Sequence, residues 1–169
     1  TTELVDITDA EFTRRAGSCN SYQGSYYANV TDIQRAIGFR GDISISMSVD
    51  DCVVQANDIP NHDFNDAQAN FATNVSEQVS SYVIASQPQQ AQNITNLNLG
   101  VTNAVMLNGV AVDLMAAACY GVGNEGLGQE KIGCGADQID NPWRYDPMST
   151  LNSFGTDEHN AHVQPDGTY

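Results

Sequence analysis

Gly41-Asp-Ile-Ser-Ile-Ser-Met-Ser-Val-Asp-Asp-Cys-Val-Val54 decides the fold class. Ile43, Ile45, Met47 and Val49 alternate with Ser44, Ser46 and Ser48. A period of two places the apolar set on one face of a strand and the serines on the other, which predicts a half-buried sheet and not a helix. Cys52, Val53 and Val54 prolong the extended region, and Asn57-Asp58-Ile59-Pro60-Asn61 ends it, because turn formers around a proline cannot continue a ladder. Val79–Ala85 reads as a further strand. Between Thr102 and Met115 two apolar runs flank Asn108-Gly109, the pair favoured in two-residue hairpins, which predicts Ala104–Leu107 paired with Val110–Asp113. On the N-terminal side, residues 7–17 (ITDAEFTRRAG) predict a short helix with Thr8 as N-cap and Gly17 as terminator. The expected fold is mainly β: a single compact domain over residues 1–169, sandwich-like, with short helices and long loops.

The chain has 169 residues, enough for a core of its own. Asp and Glu number 21 against 6 Lys and Arg, a formal charge of -15. A nucleic-acid partner is excluded, since no basic stripe is available to displace counterions from phosphates. Divalent cations are attracted by the same charge. The longest apolar run, at Ala116–Cys119, is too short for a membrane span.

The cysteines are Cys19, Cys52, Cys119 and Cys134, with no C-x-x-C spacing of a zinc or redox site. They read as disulfides. Of the three connectivities that four cysteines permit, Cys19–Cys52 with Cys119–Cys134 is favoured, because each bridge joins neighbours across a polar or glycine-rich stretch. Persistent disulfides point to a secreted, extracellular or cell-surface protein, and the start at Thr1-Thr2-Glu3 fits a mature chain. Sequons at Asn29, Asn74 and Asn93 are candidate glycosylation sites.

Gly121, Gly123 and Gly126 match the spacing of a dinucleotide-binding loop, but nearby glycines preclude the long helix that such a loop must open, so turns are the better reading. There is no G-x-S-x-G elbow, and no acid and base pair stands out among so many carboxylates. The three histidines are more informative: His62 is followed by Asp63, and His159 and His162 follow Asp157-Glu158. Imidazoles beside carboxylates suit a divalent metal such as Cu, Zn or Ca, with the acid ligating or orienting a ring. His62, His159, His162, Asp63 and Asp157 are the candidate ligands, with the histidines expected to converge.

Asn57-Asp58-Ile59-Pro60-Asn61-His62, then Leu107-Asn108-Gly109-Val110, then Asp157–Tyr169 (DEHNAHVQPDGTY) resemble three landmarks of the secreted bacterial YHYH proteins, whose signature continues Asp-Gly-x-Tyr-His-Tyr-His. The resemblance implies export and a β-rich domain whose histidines share one site. Tyr169 matches the signature's first tyrosine, and a His-x-His continuation on a strand would present both rings on one side. Two function classes follow. One is a non-enzymatic extracellular protein, a structural or assembly subunit of a surface fibre or matrix or a binding module, whose partners are its own copies or other surface proteins. The other is a divalent-metal-binding domain, with a metallohydrolase as its enzymatic form.

Overall fold

The computed structural model describes residues 3–97, 101–113, 120–121, 126, 146–148 and 155–169. The fold is mainly β. Strands β1 (Leu4–Asp6), β2 (Gly24–Asp32), β3 (Ile37–Met47), β4 (Asp51–Ala56) and β5 (Ser80–Ala85) form a five-stranded sheet in the order β1-β2-β3-β4-β5. β1 runs parallel to β2, and every other pair is antiparallel. A separate ribbon joins β6 (Ala104–Val105) and β7 (Ala111–Val112).

The serine alternation carries out its expected division. Ala28, Val30, Ile43, Ile45, Val54 and Ala56 are buried on one face. On the other, Arg40 lies 4.7 Å over the Tyr27 ring and pairs with Asp42, and Ser44 donates to Gln55. β3 begins at Ile37 and ends at Met47, so Val49 falls in the turn to β4 and is 93% exposed. The described cover of the apolar face is not a second broad sheet but loops and the β6–β7 ribbon: Ile59, Phe64, Val75, Val110, Val163 and Tyr169 complete the core.

Residues 7–17 form no helix. Thr8 does not cap: its hydroxyl donates to Asp6 and accepts the Asn29 N–H, while the Asn61 amide binds the carbonyls of Ile7 and Ala10. The Ala10 carbonyl is thereby held by a tertiary partner, the Ile7 carbonyl is shared between Asn61 and the Ala10 N–H of a single turn, and Asp9 adopts φ 55°, so the turn does not propagate into a helix.

The Asn108-Gly109 ribbon exists in a different register. Ala104 faces Val112 and Val105 faces Ala111, and the Gly109 N–H donates to the Met106 carbonyl. The central turn residues are thus Leu107 and Asn108, with Gly109 following at φ 87°, a three-residue loop in place of the expected two-residue turn. Packing explains the choice, since a Cβ at Gly109 would lie 2.7 Å from the Ala56 Cβ and 3.1 Å from the Ile43 Cγ1. Gly109→Val is therefore expected to cost roughly 2–4 kcal/mol, combining left-handed backbone strain with overpacking. A loss below about 0.5 kcal/mol in urea unfolding would contradict this packing.

Cys19 and Cys52 are bonded, with Cα atoms 6.2 Å apart. The bridge fastens the 3-10 turn Cys19–Tyr22 to β4. Cys119 and Cys134, Gly123, and the stretches 114–118 and 141–145 lie outside the described residues. Among the described residues no helix is long and apolar enough to cross a membrane.

Candidate functional site

The site forms where two loops meet above the apolar face of the sheet. The first is 57–66, whose polar side chains are spent on holding it down. Asn57 accepts the Asp42 N–H at 2.9 Å and donates to the Arg40 carbonyl at 2.7 Å. Asp58, buried and at φ 57°, accepts from the hydroxyls of Ser80 and Tyr82 on β5; burial raises its carboxyl above the ordinary value, against the pull of these two bonds. Asn61 accepts from the Asn108 amide at 3.0 Å, which ties the ribbon to the loop. Beneath them Gly41 admits the backbone, because a Cβ there would meet the Ile59 carbonyl oxygen at 2.9 Å.

Farther along, Phe64 exchanges backbone bonds with β2 and the residue after it, and Asn65 donates to buried Asp32 at 2.9 Å. Burial alone would raise the Asp32 carboxyl, but bonds from the Arg35 N–H, its guanidinium and Asn65 outweigh it and hold the group below its ordinary value. His62 is thus carried between two pinned stretches of backbone, and Asp66 directly follows the second of them.

The second loop is built around Asp157. Its buried carboxylate accepts the N–H groups of His159 at 2.9 Å and Ala161 at 3.0 Å through Oδ1, and the Tyr169 hydroxyl at 2.6 Å through Oδ2. A backbone bond from Asp157 to Ala161 closes the turn, and Asn160 takes φ 66°. Tyr169 is itself buried, 5.4 Å from the Phe64 ring, 6.1 Å from Phe71 and 6.0 Å from His62. Burial, then the charge of Asp157 and the bond to it, push the Tyr169 phenol far above its ordinary value, so it remains a donor.

The two loops join through a bond of 2.9 Å from the Glu158 N–H to Asp66 Oδ1 and through the rings of His62 and His159, which stack with centroids 3.5 Å apart and planes 18° apart. Ligand atoms of Asp66, Asp157 and His159 lie within 4.8 Å of one another. Ligands of one tetrahedral ion bonded at about 2.1 Å lie about 3.4 Å apart, so such a set closes on a cation once its farthest pair draws together by about 1.4 Å. His62 Nδ1 lies 2.8 Å from the Asp63 carbonyl. A carbonyl only accepts, so Nδ1 carries the proton and the neutral ring keeps its lone pair on Nε2, the state a metal ligand needs.

Of the residues expected here, His62, His159 and Asp157 come together. Asp63 and His162 are not in this cluster: the Asp63 carboxylate accepts the Thr31 N–H at 2.7 Å, and His162 Nδ1 bonds the Val163 carbonyl at 3.1 Å. Asp66 and Tyr169 belong to the site and were not among the expected ligands. The nearest signal was the second acid of His62-Asp63-Phe64-Asn65-Asp66, four positions after the histidine. The sequon residues Asn29, Asn74 and Asn93 are all exposed.

No curated protein and no solved structure matches the chain. The family model described as YHYH protein matches residues 81–169, which hold β5 from its second residue, the ribbon and the whole Asp157 loop. That match covers more than half of the 169 residues and ends on the tyrosine that anchors Asp157, and on it the chain belongs to the YHYH family.

Proposed function

We propose that residues 1–169 form one exported binding domain that holds a divalent cation between its two apical loops, through Asp66, Asp157 and His159 with His62 beside them. The observation that carries this reading is the approach of an imidazole and two carboxylates, from loops about a hundred positions apart, to within 4.8 Å. Two carboxylates neutralise a dication, and Oδ2 of Asp157 keeps a lone pair beyond the one used by Tyr169. An imidazole in the set favours Zn²⁺ or Cu²⁺ over Ca²⁺, which takes about six to eight oxygens. Export rests on the family's association with secreted proteins and on the cysteine bridge.

Calorimetric titration of the metal-free chain with zinc chloride should give a single saturable event, weakened about tenfold or more in His159→Ala and in Asp66→Asn. His162→Ala and Asp63→Asn should bind as the parent does. Absence of a saturable event, for zinc and for copper, would overturn the reading.

Assembly through sheet edges has its own support. β1 and β5 are the sheet's outer strands, and Leu4, Val5, Val83 and Ile84 are exposed on them. Sedimentation that gives polymers with or without metal would favour this second reading.

A further inference from the structure

Between the 11–14 segment and the 3-10 turn lies an open cavity of about 260 Å³ bordered by Glu11, Phe12, Arg14, Ser21, Tyr22 and Tyr26, together with Ile45 and Leu107. We propose that it is a saccharide site sized for one pyranose ring.

The aromatic part is fixed in advance. The Tyr22 hydroxyl donates to the Arg14 carbonyl at 3.0 Å and accepts the Ala16 N–H at 2.7 Å, and the Tyr26 hydroxyl donates to the Tyr22 carbonyl at 2.7 Å. With their hydroxyls committed to the backbone, the two phenols offer the cavity chiefly ring surface. The Cys19–Cys52 bridge anchors the turn that carries Ser21 and Tyr22, so little ordering is left for a ligand to impose.

The charges select the ligand. Glu11 and Arg14 stand at one cavity, and neither is in a salt bridge among the described residues. An anion would meet Glu11 and a chain of formal charge -15, and a cation would meet Arg14. A hydrocarbon would touch Phe12, Ile45 and Leu107 but would offer Glu11 and Arg14 no hydrogen-bond partner. A neutral polyol donates to Glu11 and accepts from Arg14, while the C–H face of its ring rests on the tyrosines. The volume is just below the usual range of about 300–1,000 Å³ for drug-sized ligands, which suits one sugar ring.

The test is saturation-transfer NMR of the full chain with methyl glucopyranoside, methyl galactopyranoside, methyl mannopyranoside and N-acetylglucosamine. At least one should bind saturably, with ring C–H protons receiving the strongest transfer. Arg14→Ala and Glu11→Gln, both at exposed positions, should weaken that binding about tenfold, and Arg15→Ala, at the next position in the chain but not lining the cavity, should leave it unchanged. Failure of all four sugars to bind saturably would overturn the proposal. So would equal binding by the Arg14 and Glu11 variants, or saturable binding of phenol without any of the sugars.

Discussion

Asp157→Ala is expected to lower the unfolding free energy by about 3–5 kcal/mol, a large effect for one exchange. The carboxylate is buried and accepts from the His159 and Ala161 N–H groups and from the Tyr169 hydroxyl. Alanine removes all these acceptors at once. The phenol is then left in a pocket formed with Phe64 and Phe71, where an unmet donor costs about 1–3 kcal/mol. Bonds to an ionised acceptor, at about 1.5–3 kcal/mol each, are lost with it. Asp157→Asn should recover part of the loss, since its carbonyl oxygen can still accept from the turn. Urea denaturation reads both variants. A cost under about 1 kcal/mol for alanine would mean that the carboxylate does not organise the loop.

Opening the Cys19–Cys52 bridge is the other large expected effect. It closes a loop with a sequence separation of 33, for which the chain-entropy model predicts roughly 3–4 kcal/mol. The bridge lies at the far end of the sheet's core face from the histidines, beside Met47, whose sulfur is 3.2 Å from that of Cys19. Cys19→Ser with Cys52→Ser should therefore unfold at lower denaturant while the folded form keeps its ring contact between His62 and His159. Unchanged stability in the double variant would show that the bridge constrains nothing the sheet does not already fix.

The sheet was legible where its signal is local. Ile43 and Ile45 against Ser44 and Ser46 define a face without reference to any other part of the chain, and β5 was read within one residue of its start. What the sequence hid depends on distant partners. Residues 7–17 have helix signals, but Asn61 takes the carbonyls a helix would use. Asn108-Gly109 suits more than one loop length, and contact with Ala56 and Ile43 selects among them. At the site, scarcity made the histidines conspicuous, and His62 does meet His159. Asp66 was hidden among 21 acidic residues, and nothing local distinguishes it from Asp63, whose carboxylate is turned to β2.

Histidine-ring nitrogen NMR of the full chain during zinc titration tests the cation site most directly. The His159 ring nitrogens are expected to shift to a stoichiometric end point, His62 to respond because its ring lies against His159, and His162 to keep its bond to the Val163 carbonyl and its free-state spectrum. A His159 spectrum unchanged by zinc, or a zinc response confined to His162, would contradict it.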